Sequence, residues 1–159
     1  MAKKQKEILG GIVKITFDEP YHTYGRILKY GDVALYDCKT DQDVSDLNAI
    51  VTRPIIYKMI VNEGGVKHGR WPIVGVLPLE EKLQNTKYYL EEFGRPDFIK
   101  IIENGNIRFN VPKVEGIGLE VGAVWDPSHV EEFLRDHYAG RENVSLKMMD
   151  ILGNYKLRK

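Results

Sequence analysis

Hydrophobic residues in the first half of the chain alternate with polar ones or form short β-branched runs. Val13, Ile15 and Phe17 alternate with Lys14 and Thr16, which predicts a half-buried strand. A polar loop is predicted over residues 37–46, because four aspartates and other polar residues predominate there. The same reasoning predicts further strands over residues 24–30, 33–36, 55–61 and 73–77.

A β-hairpin is predicted in the second half of the chain. Asn104 and Gly105 separate two β-rich runs, residues 98–102 and 107–111. Asn-Gly readily supplies the two positive φ angles of a type I′ turn, which matches the twist of the strands on either side. The spacing therefore predicts two antiparallel strands joined by a two-residue loop.

One long helix is predicted after the hairpin. Asp126 is a favourable N-cap residue, and Pro127 suits the first helical position. Gly140 is typical of the left-handed residue that ends a helix. Between them, apolar and aromatic residues recur with helical spacing and form one stripe that should pack on the sheet: Val130, Phe133, Leu134, His137 and Tyr138.

These elements together predict an α+β fold with a mainly antiparallel, strongly curved β-sheet (a partial barrel) and one packed C-terminal helix. We expect a single globular domain over residues 7–140, preceded by a basic N-terminal extension over residues 1–6. Residues 141–159 form a C-terminal tail, for which a short helix and a frayed end both remain open. The exposed edges of a small sheet are compatible with a homo-oligomer.

Charge is distributed unevenly, although the formal net charge is zero. Six of the 23 basic residues lie near the ends, at positions 3, 4, 6, 156, 158 and 159, which leaves 17 basic residues against 23 acidic ones in the body. A mildly acidic body makes nucleic acid an unlikely ligand and is compatible with a basic protein partner. No apolar run approaches the ~20 residues of a membrane helix, and the N-terminus lacks the hydrophobic core of a secretion signal. We therefore expect a cytoplasmic protein.

Motifs for catalysis or metal binding are weak. The single cysteine, Cys38, cannot form an internal disulfide, and a pairing with one of the four histidines has no local support. Asp41, Asp43 and Asp46 have some of the spacing of a calcium loop, but the required glycine and the final glutamate are missing. We expect no catalytic residue, no metal and no cofactor, so the protein is predicted not to be an enzyme.

Two groups of residues are candidates for recognition. His68, Arg70 and Trp71 lie in a glycine-containing turn, and arginine and tryptophan are favoured at binding surfaces. Tyr24 and Arg26 would share one strand face with Leu28 and Tyr30, and such a face can stack on a peptide or a base. Arg26 has a structural interpretation as well, an internal ion pair with an acidic group such as Asp37, and both interpretations remain open.

The order of several short motifs resembles the immunity protein 26 family of bacterial polymorphic toxin systems. The resemblance spans roughly residues 7–138, and Tyr-Gly-Arg and Trp-x-Ile-x-Gly are its most distinctive elements. The residues that carry it are Gly10–Ile15, Tyr24–Leu28, Ala34–Asp37, Arg53–Val61, Gly69–Gly75 and Pro78–Glu80. The positions that match the family pattern are Gly25, Arg26, Asp37, Gly69, Arg70, Trp71 and Gly75, and several of them could serve folding alone.

This resemblance implies a cytoplasmic antitoxin that binds the C-terminal domain of a cognate toxin and blocks it. Many toxins that attack nucleic acids are basic, so the aspartate-rich loop over residues 37–46 would suit such a partner. We predict that this loop contributes to the toxin-facing surface together with Arg70 and Trp71. The full set of predicted partner-binding residues is Arg26, Asp37, Asp41, Asp43, Asp46, His68, Arg70 and Trp71. The alternative function is an SH3-like module that binds peptides or nucleic acid.

Overall fold

The computed structural model describes residues 3–158 of the 159-residue chain. Met1 and Ala2 of the predicted basic extension, and Lys159 of the basic C-terminus, lie outside the described residues. Ten strands and three helices are described, together with three short 3-10 turns. The strands are β1 (Gly11–Thr16), β2 (His22–Ile27), β3 (Asp32–Tyr36), β4 (Ile55–Val61), β5 (Ile73–Val76), β6 (Lys87–Glu91), β7 (Phe98–Glu103), β8 (Asn106–Pro112), β9 (Glu120–Val121) and β10 (Val124–Trp125). The helices are α1 (Leu47–Val51), α2 (Pro127–Ala139) and α3 (Val144–Met149).

The strands form two sheets. A six-stranded sheet has the order β10-β4-β3-β2-β1-β5, and a four-stranded sheet has the order β8-β7-β6-β9. All neighbours are antiparallel except the short pairs β10–β4 and β6–β9. The predicted α+β fold with mainly antiparallel strands is confirmed. The strands nevertheless divide between two sheets instead of one, and neither sheet closes into a barrel.

The main core lies between the two sheets and α2. Val13 and Ile15 point into it from β1, whereas Lys14 between them points to the other face, as the alternating pattern predicts. Ile99 and Ile101 enter from the four-stranded sheet, and α2 contributes its buried stripe of Val130, Phe133 and Leu134. A smaller cluster on the other face of the six-stranded sheet contains Ile12, Tyr24, Tyr36, Cys38 and Ile50.

The β-hairpin and the long helix predicted in the second half of the chain are both confirmed. Asn104 and Gly105 have φ angles of 49° and 80° and join β7 to β8 in the predicted hairpin. Helix α2 begins after Asp126 and ends at Gly140, which is left-handed with φ 71°. The Asp126 carboxylate does not cap a backbone N–H, however, because it accepts hydrogen bonds from the Asn62 amide and the Ser128 hydroxyl instead.

Contacts extend beyond the predicted domain limits at both ends. The Gln5 side chain donates to the Trp71 carbonyl and accepts from the Ile73 N–H, so residues near the N-terminus pack on the body. The C-terminal tail forms the short helix α3, one of the two alternatives left open by the sequence. Beyond it, the Asp150 carboxylate accepts a buried hydrogen bond from the Tyr89 hydroxyl of β6.

Candidate functional site

Arg26, on β2, is completely buried. Its Nε donates to the Gly10 carbonyl at 2.7 Å, and one terminal nitrogen donates to the Leu77 and Pro78 carbonyls at 2.9 and 2.8 Å. The other terminal nitrogen donates to the Tyr36 hydroxyl and to Glu80, 3.1 and 3.2 Å away. We call Arg26 and these partners the arginine cluster: Arg26, Gly10, Tyr36, Leu77, Pro78 and Glu80.

The arginine cluster corrects two expectations. Arg26 offers no stacking surface, because both it and Tyr24 are buried, and its carboxylate partner is Glu80 instead of Asp37. Tyr30 is not on the same strand face, because β2 ends at Ile27 and the chain turns before β3. A buried guanidinium is stable only when its donors are satisfied, and the cluster satisfies them. Arg26 therefore serves the fold and is inaccessible to a partner.

Trp71 is likewise buried and joins α2 to the turn before β5. Its indole N–H donates to the Glu131 carboxylate at 2.9 Å. Arg70 makes a bidentate pair with the same carboxylate, with N–O distances of 2.7 and 2.8 Å. The Trp71 ring packs against Gly65, where an added Cβ would come within 2.9 Å of it. Direct contact of Trp71 with a partner is thus excluded by its burial, whereas Arg70 is half-exposed.

His68 and Arg70 differ from Trp71 in accessibility. Both residues are exposed in the turn over residues 62–71, and Glu131 raises the pKa of the Arg70 guanidinium chiefly through its hydrogen bond. The pair with Glu131 fixes two of the donors of Arg70, so the exposed side of its guanidinium has a defined direction. These two residues stay candidate contacts.

The aspartate-rich loop places three carboxylates on the surface. Asp41, Asp43 and Asp46 are all exposed, with 80% of the Asp43 side chain accessible. Lys14 of β1 donates to Asp43 at 2.7 Å, and this hydrogen bond is the main cause of the lowered pKa of that carboxyl. Asp46 caps α1 by accepting from the Asn48 N–H at 3.1 Å. We call residues 41–46 the acidic loop.

Hydrogen bonds from β2 hold the acidic loop in place. The Tyr24 hydroxyl accepts from the Val44 N–H at 2.9 Å and lies 3.1 Å from His22 Nε2. His22 pairs through its backbone with Thr40, and burial lowers the pKa of its ring. A neutral His22 ring can accept a hydrogen bond from the Tyr24 hydroxyl, so this pair of neutral groups supports the loop beside the Lys14–Asp43 ion pair.

Asp37 stands apart from the acidic loop. It is only half-buried, and it lies near the Tyr138 hydroxyl, whose pKa is raised chiefly by burial and further by the charge of Asp37. Lys39 stacks over the Tyr21 ring, with its Nζ 4.2 Å from the ring centroid. Asp37 thus lies beside the C-terminal end of α2.

The acidic loop and the Trp71 turn are anchored to different elements of the fold. Lys14, which holds Asp43, and Val13, which packs in the core with Trp71, are consecutive residues of β1. Consecutive residues of a strand point to opposite faces of the sheet. The acidic loop is therefore attached to the outer face, whereas Arg70 and Trp71 pair with Glu131 of α2 on the inner face. A toxin-facing surface that includes both stays a prediction.

The single cysteine, Cys38, is buried. Burial raises the pKa of the Cys38 thiol, which disfavours the thiolate that a nucleophilic cysteine requires. Among residues 3–158, no group of three or more His, Cys, Asp or Glu side chains could hold a metal ion. No helix in the described part of the chain has the length and apolar character to span a membrane.

Sequence reasoning missed Glu80, Glu131 and Lys14, the three ionic partners that organise these groups. Glu80 and Glu131 are separated from Arg26 and Arg70 by 54 and 61 residues, and Lys14 lies 29 residues before Asp43. No local spacing reveals such pairs. The one available signal was the Pro-Leu-Glu motif at residues 78–80, which was noted for the resemblance and not linked to Arg26.

Comparison with known proteins gives one family. The family model described as Immunity protein 26 matches residues 8–94, just over half of the 159 residues. No curated protein and no solved structure gives a significant match. The matched segment contains the whole arginine cluster and the acidic loop, and it ends before the β7–β8 hairpin and α2.

Proposed function

This chain belongs to the immunity protein 26 family, and we propose that it is an antitoxin that binds and neutralises the C-terminal domain of a cognate bacterial polymorphic toxin. It would act in the cytoplasm as a rigid binding surface and catalyse no reaction of its own. Membership of this family supports a function as an immunity protein. The toxin partner, the binding surface and the mode of neutralisation belong to the proposal.

The acidic loop is the surface that we assign to first contact with the toxin. Asp41, Asp43 and Asp46 expose three carboxylates within six residues, and backbone and side-chain bonds to β1 and β2 fix their positions. Opposite charges on two proteins accelerate their encounter, and ordered charges lose little entropy on binding. This observation supports a basic toxin domain as the partner.

His68 and Arg70 would contribute to binding at a separate patch. The Arg70 guanidinium is oriented by Glu131 and exposed on one side, which suits a hydrogen bond to a carbonyl or carboxylate of the toxin. This patch is held by α2, whereas the acidic loop is held by β1 and β2, so the two patches are anchored independently. Removal of either patch should then weaken binding without abolishing it.

A stoichiometric inhibition assay tests this function. The purified protein is titrated into a fixed amount of the C-terminal domain of the toxin encoded immediately upstream, and the residual toxic activity is measured. We expect a linear loss of activity with an end point near equimolar protein, and rescue of growth on co-expression. A toxin domain from an unrelated system serves as the control. Inactivation by far less than one equivalent would indicate an enzyme, and full toxic activity at excess protein would refute the proposal.

A further inference from the structure

Strand β8 is an open edge of the four-stranded sheet. Six of its seven residues are exposed, and Val111 is the exception. Ile107 and Phe109 are 53% and 62% exposed although both are large and apolar. The cross-strand pair Ile102–Ile107 places them on one face of the sheet, where Lys100 approaches the Phe109 ring at 6.0 Å. An edge of this kind can pair with another chain.

The register of the hairpin shows which backbone groups of β8 are free. In a two-residue hairpin the residues that flank the turn, Glu103 and Asn106, form a hydrogen-bonded pair. Hydrogen-bonded and non-hydrogen-bonded pairs alternate, so Arg108 bonds to Ile101. The N–H and C=O groups of Ile107 and Phe109 therefore point away from β7 toward the open edge.

Beyond Phe109 the edge is closed. Asn110 adopts a positive φ of 53°, and its N–H donates to the Glu92 carboxylate at 2.8 Å. A register irregularity lies opposite, between Ile99 and Ile101, and Pro112 ends the strand without an N–H. The free segment therefore consists of residues 106–109, with two outward-facing residues at its centre.

The other strand edges of the described residues are shorter or protected. Strands β9 and β10 have two residues each. Strand β5 has four residues between two prolines, and the Gln5 side chain already accepts from the Ile73 N–H. Prolines and capped edge groups are common ways of preventing edge pairing. Exposed apolar residues also occur on β5 and β10, at Val74, Val76 and Val124. The edge of β8 differs because it is longer and its outward backbone groups at Ile107 and Phe109 are uncapped.

The sequence around Arg108 reads almost the same in both directions, Asn106-Ile107-Arg108-Phe109-Asn110. We propose that β8 pairs with β8 of a second copy of this chain, antiparallel and around a two-fold axis through Arg108. This register places Ile107 of one copy opposite Phe109 of the other, so the outward N–H and C=O groups of both residues form the hydrogen-bonded pairs. It also joins the two four-stranded sheets edge to edge and brings the exposed Ile107 and Phe109 side chains of the two copies into cross-strand contact.

Charge supports a second copy as the occupant. The two Arg108 side chains lie opposite each other at the axis, where like charges would ordinarily repel. In each copy, however, a terminal guanidinium nitrogen of Arg108 lies 3.9 Å from a carboxylate oxygen of Glu103 and 3.9 Å from one of Glu115. The axis therefore gathers two guanidinium groups and four carboxylates, and each arginine can share the carboxylates of the other copy.

The tip of the hairpin is held in place before any pairing. Asn104 exchanges hydrogen bonds with the backbone of Thr86, and the Tyr30 ring packs over Gly105. A fixed edge loses less conformational entropy on association than a mobile one. We expect a dissociation constant in the micromolar range, because only residues 106–109 of each strand are free to pair.

Cysteine cross-linking tests the predicted axis. In a Cys38→Ser background, Arg108→Cys places two thiols across a non-hydrogen-bonded pair with Cα atoms about 4.5 Å apart, within the range of a disulfide. We expect a covalent dimer under mild oxidation, formed at least about ten times faster than with the exposed control Lys113→Cys. Equal rates for the two variants would overturn the proposal.

Sedimentation of protein with its native cysteine provides a second test. The wild type should shift from monomer to dimer between about 5 and 500 µM, and Phe109→Lys should raise the dissociation constant at least about tenfold. The control Phe93→Lys removes a phenylalanine that is even more exposed, 83% accessible and outside β8, and should leave the dimer unchanged. A wild type that stays monomeric at the highest concentration, or equal loss in both variants, contradicts the assignment. If a toxin strand occupied this edge instead, Phe109→Lys would weaken toxin binding while the free protein stayed monomeric.

Discussion

The arginine cluster and the acidic loop, both within the family-matched segment, are opposite in character. Arg26 is completely buried and satisfied by five partners, whereas the Asp43 side chain is 80% exposed and has one strong partner, Lys14. Motif residues from three other segments of the family resemblance contact Arg26, namely Gly10, Tyr36, Pro78 and Glu80. The comparison indicates that the motifs around Arg26 specify the fold. We propose that recognition of a partner depends on exposed residues, Arg70 and the acidic loop among them.

The physical reason for this difference is the cost of burying polar groups. An unsatisfied buried donor or acceptor costs about 1–3 kcal/mol, and an unpaired buried charge costs more. Each member of the arginine cluster is therefore constrained by the others. An exposed aspartate can change at a cost within about 0.5 kcal/mol, which allows such a loop to differ between proteins of one fold.

The largest effect is expected from Arg26→Met. This substitution leaves the carbonyls of Gly10, Leu77 and Pro78 without their donor, and we expect a loss of about 3–5 kcal/mol in the free energy of unfolding. Urea denaturation followed by circular dichroism measures it. Glu80→Gln is the matched comparison and should cost less, because the Glu80 side chain is 37% exposed. A loss below about 1 kcal/mol for Arg26→Met would mean that the cluster does not hold the fold.

A smaller effect is expected from Glu131→Gln. The neutral amide cannot accept from both Arg70 and the Trp71 indole as strongly as the carboxylate does, so we expect a loss of about 1–2 kcal/mol. The loss of free energy of unfolding is modest because Arg70 is half-exposed to solvent, which screens its pair with Glu131. Denaturation monitored by tryptophan fluorescence measures the change. Glu132→Gln, on the exposed side of α2, should change the stability by less than about 0.5 kcal/mol, and equal losses in both variants would contradict this role.

The smallest effect on stability is expected from protonation of the His22 ring as the pH falls. Burial lowers the pKa of this ring in the folded state, with Lys14 acting in the same direction and Asp43 and Asp41 opposing it. The stability contributed by neutral His22 is therefore complete above the unfolded pKa of about 6.5 and is lost as the pH falls through the lower folded pKa. The melting temperature of the wild type should fall more than that of His22→Gln between pH 7.5 and pH 5. Parallel shifts would show that His22 does not hold the acidic loop.

Elements that depend on local interactions could be predicted from the sequence, whereas pairs that depend on distant residues could not. Asn104-Gly105, Pro127 and Gly140 determine local backbone geometry, so the hairpin and the limits of α2 were predicted correctly. Helix α1 and strand β6 were missed, because five residues are too few to show a period. The ionic pairs of Arg26 and Arg70 connect residues more than fifty positions apart, and only the folded chain brings them together.

The most direct test is the rate of association with the cognate toxin domain. Asp41→Asn, Asp43→Asn and Asp46→Asn are combined in one variant, in which the asparagine introduced at position 46 can still cap α1. The control combines Glu81→Gln, Asp97→Asn and Glu132→Gln, which remove the same charge from exposed positions outside the acidic loop. We predict that the loop variant associates roughly tenfold more slowly at low salt, with a flatter salt dependence than the control. No binding by the wild type, or equal rates for the two variants, would contradict the account.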